Sequence, residues 1–240
     1  MPRKIYIDCG THLGEGMKKH VEEFNIDESW IIYTFEANPY TFNRMQEARL
    51  AENVSFQYRW VKWNNITYYN KAVWTNDGSI DFYCSTVGDQ SVKNHPEYIN
   101  FMKFHDKLLE SGDLISSHQV SDVPIDGGST IFPTEYKAFL NKSGNALQRG
   151  LTWDVKVSAE CIDFSSWLKD NIREDDYVIC KIDIEGAEYE VLKKCIRDNT
   201  LKLIDRLDAE LHPFANPNAE YDWSQISYEL NRLKIPFRNW

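Results

Sequence analysis

The apolar positions of the chain alternate between two periods. Lys4-Ile5-Tyr6-Ile7-Asp8 is a short β-rich run that ends in an acid, and Cys9-Gly10 follows it, the pattern of a buried strand entering a glycine-containing loop. From Gly16 the period changes. Met17, His20, Val21 and Phe24 recur at spacings of three and four, with Lys18, Lys19, Glu22 and Glu23 on the other side, which predicts an amphipathic helix over 16–24. A second strand over 30–35 ends at Glu36. Asn38-Pro39 then reads as a helix start, since Asn caps and Pro suits the first turn, and 40–51 is predicted helical.

Further strands are predicted over 54–58, 71–74 and 79–84, with Asn76-Asp77-Gly78 as a hairpin turn between the last two. The regular pattern then breaks. Residues 95–150 are rich in His, Ser, Gly and Asn, with one helix predicted over 98–110 and a Gly127-Gly128 interruption, and an irregular stretch of that length inside a compact domain reads as a lid or substrate-recognition insertion. Regularity returns with a strand over 153–159, a helix over 161–171, an apolar strand over 177–184 and a helix over 187–196. A strand over 203–211, a helix over 221–233 and a strand over 235–240 complete the chain. Strands alternating with helices predict an α/β fold: a mainly parallel sheet with helices on both faces, one domain over 1–240, and ligands at the carboxyl ends of the strands.

Composition narrows the partners. Against 27 basic residues stand 37 acidic ones, and the formal net charge of -10 opposes long-range attraction to nucleic acid or anionic lipid, so no nucleic-acid partner is expected. No apolar run approaches the ~20 residues of a bilayer span, and the chain enters its first strand almost at once, which sets the expectation of a cytoplasmic protein without a membrane span. Cys9, Cys84, Cys161, Cys180 and Cys195 are scattered without paired spacing. They read as buried free thiols in a reducing compartment.

Candidate chemistry gathers at the strand ends. Asp8-Cys9-Gly10-Thr11-His12-Leu13-Gly14-Glu15-Gly16 places three glycines where a strand turns into a helix, so the backbone can approach a ligand and offer amides from the helix start. The spacing differs from the G-x-G-x-x-G of dinucleotide enzymes, and the acid suits a cationic aminoacyl group better than a pyrophosphate. Glu36, at the end of the second strand, is placed to accept hydrogen bonds from both ribose hydroxyls of a nucleoside. Asp183 and Glu185 end the apolar strand just before Gly186, and Glu210 and His212 end the next one. A glycine turn with a capping Asp and a helix start decorated with acids are the plain structural alternatives.

The ordered motifs Ile7-Asp8-Cys9-Gly10 through Gly14, Phe35-Glu36-Ala37-Asn38-Pro39, Lys71-Ala72-Val73, Lys181-Ile182-Asp183-Ile184-Glu185-Gly186-Ala187-Glu188 and Glu210-Leu211-His212 resemble those of the FkbM family of S-adenosylmethionine-dependent methyltransferases. The resemblance spans roughly residues 4–212, interrupted after His95. It implies a class I methyltransferase (Rossmann-like) fold. In that fold Asp8, Gly10 and Gly14, with Cys9 and Thr11 in the same loop, surround the methionine part of S-adenosylmethionine. Glu36 serves its ribose, Asn38 and the turn before Ala72 border the adenine, and Ala37 and Asp183 also reach the cofactor. Three features depart from the family. Cys9 and His12 stand where smaller or amide residues are commoner, Gln90-Ser91-Val92 matches the usual Ser-Ser pair only in part, and the antiparallel seventh strand has no counterpart up to Trp240.

Methyl transfer from a sulfonium needs a nucleophile in line with the methyl group, and an alcohol benefits from a base that takes its proton as the bond forms. Asp183 is the first choice for that base, with Glu185 and His212 as the other catalytic candidates. If a divalent magnesium or manganese ion acidifies the hydroxyl instead, Asp183, Glu210 and His212 are the ligands expected. His212 alone also reads as a hydrogen-bonded wall residue, and His95, His105 and His118 are weaker candidates. Tyr98, Phe101, Phe104 and His105 would bind the acceptor if the insertion closes over the site. The function expected is O-methylation of a sugar or glycan hydroxyl, then of a small metabolite. A nicotinamide-dependent oxidoreductase, disfavoured by the glycine spacing, and a non-catalytic glycan-binding module are the alternatives.

Overall fold

A computed structural model describes residues 2–50, 60–87, 128–143 and 151–240. Along the chain it contains β1 (Lys4–Cys9), α1 (Glu15–Glu23), β2 (Ile31–Phe35), α2 (Pro39–Leu50), β3 (Ile66–Tyr69), β4 (Ala72–Trp74) and β5 (Gly78–Val87). There follow α3 (Pro133–Ser143), β6 (Leu151–Asp163), α4 (Phe164–Asn171), β7 (Tyr177–Ile182), α5 (Glu188–Arg197), β8 (Arg206–Ala209), α6 (Ala219–Leu233) and β9 (Phe237–Asn239). Six strands form the main sheet in the order β3-β2-β1-β7-β8-β9, every neighbouring pair parallel.

Parallel strands buried on both faces read as continuous apolar runs, and β1 shows how such a run is divided. Ile5, Ile7 and Cys9 point into a core completed by α4, α5 and α6, whereas Tyr6 points into a second core with Leu13, Met17 and Trp60 on the side of α1. Asp8 shares the face of Tyr6. The chain runs from β1 outward through β2 to β3 and, later, from β7 outward through β8 to β9. The order therefore reverses between β1 and β7, and a crevice opens beyond the carboxyl ends of these two strands. This is the Rossmann-like α/β fold expected from the sequence.

A second sheet, ordered β4-β6-β5, leans over that crevice. It corrects the predicted hairpin. Asn76-Asp77-Gly78 does reverse the chain, but β4 and β5 do not pair with each other, because the 13-residue β6 lies between them. Ala72–Trp74 runs parallel to Cys161–Asp163 on one edge of β6, and β5 runs antiparallel along the other, from Leu151 to Cys161. The length of β6 also removes the first turn of the helix predicted over 161–171. Cys161 and Ile162 stay in the strand, and Asp163 caps α4 by accepting from Ser166 N at 3.1 Å and Ser166 Oγ at 2.9 Å. A cap of this kind stabilises a helix by about 1 kcal/mol.

Other boundaries shift for equally local reasons. β3 lies at Ile66–Tyr69, a β-branched and aromatic run not expected as a strand, while the predicted strand over 54–58 and helix over 98–110 lie outside the described residues. α3 was likewise not expected, although Pro133 at its first position is a helix-start signal. β7 stops at Ile182, and the strand predicted over 203–211 contracts to Arg206–Ala209 after a 3-10 turn at Leu201–Leu203. β9 pairs in parallel with β8, so the six-stranded sheet has no antiparallel member among the described residues. No described helix is long and apolar enough to cross a membrane.

Candidate active site

The crevice is built from the backbone outward. Gly10, with φ of +77°, turns the chain away from β1 so closely against β7 that a Cβ placed there would lie 1.7 Å from the Asp183 carbonyl oxygen. Its amide and that of Thr11 both donate to Phe35 O, at 2.9 and 3.0 Å, which binds the loop to the end of β2. Thr11 Oγ1 closes the turn on Asp8 O at 3.0 Å. Gly14, φ +93°, starts α1 with its Cα against the Trp60 ring, away from the crevice.

Beneath this loop a buried lysine joins the two strands. The Lys181 ammonium lies 3.3 Å from Asp8 Oδ1 and 3.3 Å from Asp183 Oδ2, and it donates to Gly10 O at 2.9 Å. Burial opposes its charge, but the two carboxylates more than offset burial and hold the ammonium above the ordinary lysine range. Asp8 is fully buried, and Lys181 is its compensating charge.

At the end of β2, Glu36 accepts from His12 N at 2.7 Å through one carboxylate oxygen and from Asn38 N at 2.8 Å through the other. Two loops thus hold the carboxylate rigid at the cavity wall. Burial pushes its pKa up, against the nearby His12 and these two amides. Asn38 lines the cavity too, but its side-chain oxygen accepts from Tyr40 N at 3.0 Å and caps α2, and its amide nitrogen donates to Ser129 Oγ at 3.3 Å. Ala37, Ala72, Ile80 and Phe82 give this end of the cavity an apolar lining.

The other end is acidic. Glu185 (φ +52°) and Gly186 (φ +112°) take left-handed conformations in the turn after β7, and Glu188 fastens that turn from inside. The fully buried Glu188 carboxylate accepts from Ile184 N at 2.9 Å, from Gly186 N at 3.1 Å and from His212 Nδ1 at 3.0 Å. His212 Nε2 faces Glu185 at 3.4 Å and Glu210 at 3.6 Å. Burial opposes the imidazolium, yet the Glu188 hydrogen bond and the surrounding carboxylates raise His212 to about 10. Burial pushes Glu185 up to about 7 against the pull of His212, and the buried Tyr136 hydroxyl of α3 is raised by burial and by this neighbouring carboxylate.

One cavity takes in Gly10, Thr11, Glu36, Ala37, Asn38, Ala72, Asp183 and Glu185 of the sequence-predicted residues. The side chains of Asp8 and Cys9 lie below it, Asp8 on Lys181 and Cys9 in the apolar core, and Gly14 faces Trp60. Of the ion ligands expected, Asp183 and His212 stand together, but Glu188 takes the place of Glu210, and these three offer ligand atoms within 4.8 Å of one another. Sequence reasoning missed Lys181, Glu188 and Tyr136. The first two stood in a quoted motif, and the signal overlooked was an acid in the first turn of α5 that can reach back to free amides. Ser91, His95, Tyr98, Phe101, Phe104, His105 and His118 lie outside the described residues, as does most of the predicted lid. Its described part contributes Gly128, Ser129 and Ile131 to the cavity wall.

The arrangement offers a rigid carboxylate beside an apolar slot, suited to a nucleoside, and a second group of carboxylates suited to accepting a proton. The family described as Methyltransferase FkbM domain matches residues 8–233, from the end of β1 to the end of α6. No curated protein and no solved structure matches the chain.

Removing the buried ammonium should unfold the crevice before it affects any chemistry. Lys181→Met is expected to cost about 3–5 kcal/mol in urea unfolding, because Asp8 is left charged and unpaired, and Asp8→Asn in the same chain should recover part of that loss. An unchanged unfolding midpoint in Lys181→Met would show that the pair carries no structural role.

Proposed function

This chain belongs to the FkbM methyltransferase family, and from that premise we propose that it transfers a methyl group from S-adenosylmethionine to a hydroxyl of a sugar or glycan. The observation that carries this reading is the single cavity in which Glu36, beside an apolar slot, and Asp183 and Glu185 face the same space. Glu36 would take the ribose hydroxyls: each of its oxygens spends one acceptor site on a backbone amide and keeps another for the ligand. Gly10 and Thr11 would border the aminoacyl part, and Ala37, Asn38 and Ala72 the base. When bound, S-adenosylmethionine supplies an electrophilic methyl group on a sulfonium centre.

The protein's own part is orientation and proton removal. Asp183 is the base assigned: Lys181 fixes one of its oxygens and leaves the other for the acceptor hydroxyl. Glu185 stands beside it, and His212, held by Glu188, keeps the two carboxylates from repelling the site open. Trp74 in the cavity wall, together with the negative net charge, favours a neutral ring-bearing acceptor. A small hydroxylated metabolite would satisfy the same groups, and a non-catalytic glycan-binding module would need none of the proton-accepting carboxylates. Five free, buried cysteines support a reducing compartment such as the cytoplasm. The insertion over 95–150, within one domain, is the part we assign to acceptor recognition.

A divalent magnesium or manganese ion is the second reading of the acidic end, favoured by the closeness of Asp183, Glu188 and His212. It would have to displace the His212–Glu188 hydrogen bond and a proton from an imidazolium that its neighbours stabilise.

Three measurements test these assignments. In calorimetric titration, Glu36→Gln should weaken S-adenosylhomocysteine by about 1.5 to 3 kcal/mol, roughly ten- to a hundredfold or slightly more, and unchanged affinity would remove Glu36 from the site. Asp183→Asn should lower turnover on a sugar acceptor with its hydroxyl free by about 100-fold or more, and a variant that works at the native rate would overturn the base assignment. Turnover is expected to survive exhaustive treatment with EDTA; loss that magnesium or manganese restores would establish the ion instead.

A further inference from the structure

The zwitterionic tail of the proposed cofactor needs a cation as well as acids, and the cavity wall contains one that no carboxylate among the described residues pairs with. Its basic side chains are His12, Lys19, Lys71 and Lys181. Lys181 is shared among Asp8, Asp183 and Gly10 O, Lys71 is paired with Glu160, and His12 lies beside Glu36. Lys19 makes no ion pair or hydrogen bond with a described residue. Its ammonium instead rests 4.5 Å over the ring of Trp240, which also lines the cavity.

That aromatic platform is itself fixed. Trp240 stacks on the buried His20 at 4.6 Å, and its amide donates to Ala209 O at 3.0 Å. His20 is held in turn by Asp208 at 2.8 Å and by the Tyr6 hydroxyl at 3.0 Å. Lys19 follows Gly16 by one helical turn of α1, and Gly16 has room for no Cβ because Lys181 Cε would lie 2.8 Å away. The free ammonium therefore stands on the glycine-loop side of the cavity. Lys71, Ala72, Ile80 and Phe82, by contrast, belong to the small sheet or directly precede it.

We propose that Lys19, carried on the Trp240 ring, is the counter-ion for the α-carboxylate of the cofactor's aminoacyl tail. This rests on the reading of the cavity as an S-adenosylmethionine site and adds the group that distinguishes the whole cofactor from its nucleoside portion. A cation held over an aromatic face at a cavity rim keeps its charge and loses little freedom when it meets a carboxylate. Asp183 and Glu185, in the wall of the same cavity, would then face the ammonium of that tail.

The test crosses a change in the protein with a change in the ligand. S-adenosylhomocysteine and its decarboxylated analogue, which lacks only the carboxylate, are titrated calorimetrically into the full chain, into Lys19→Met and into Lys19→Arg. The native protein and Lys19→Arg should bind the analogue about tenfold more weakly than S-adenosylhomocysteine, whereas Lys19→Met should bind the two alike. A Lys19→Met protein that keeps the tenfold preference, or that loses both ligands equally, overturns the assignment of Lys19 while the cofactor reading stands. Failure of the native protein to bind either ligand overturns the cofactor reading itself and the Lys19 assignment with it.

Discussion

A single ammonium, that of Lys181, sits where the two halves of the main sheet meet, and the geometry of the crevice depends on it. It bridges a carboxylate from β1, a carboxylate beyond β7 and the carbonyl of the glycine that turns between them. Attraction inside a poorly polarisable interior is strong, but each charge is costly to bury, so the arrangement holds only while all of its partners are present. The consequence is mechanical. Asp183, the group assigned to meet the acceptor, is positioned by the same side chain that neutralises Asp8, so the chemistry at the end of β7 inherits its precision from the packing at the end of β1.

Backbone shape transmits that precision. Gly10 lets β1 and β7 approach until no side chain fits between them, and the left-handed turn at Glu185 and Gly186 swings the acidic end back over the crevice. The turn would be costly if its amides were unpaired. Glu188 accepts from two of them and passes the same carboxylate to His212, so one buried group both closes the turn and orients the imidazole. The small sheet supplies the facing wall, and Thr130 Oγ1 donates to Glu185 O at 2.6 Å, tying that wall to the acidic turn.

Much of this was legible from residue order. The strands flanking the switch point, the glycine loop, Glu36 and Asp183 announced themselves because each lies where a period changes, and local signals mark such places well. What escaped depended on partners distant in the chain. Lys181 looks like one polar residue at the end of an apolar strand until Asp8 is brought beside it, and Asn76-Asp77-Gly78 reads as a hairpin unless β6, some eighty residues later, is known to enter between its arms. The Ile66–Tyr69 strand and the Asp163 cap were different. Their signals were present in the sequence, and stronger neighbouring patterns obscured them.

The burial of all five cysteines gives the molecule built-in reporters of its own opening. Cys9, Cys180 and Cys195 lie in the core of the main sheet, and Cys84 and Cys161 in that of the small sheet. Burial raises the thiols of Cys84 and Cys195 to about 12, so neither exposure nor ionisation favours reaction while the structure is closed. The rate at which an alkylating reagent captures each group therefore measures how often its own sheet comes apart. Mapping the captured thiols by mass would time the two walls of the crevice separately, in the native chain and without any introduced probe.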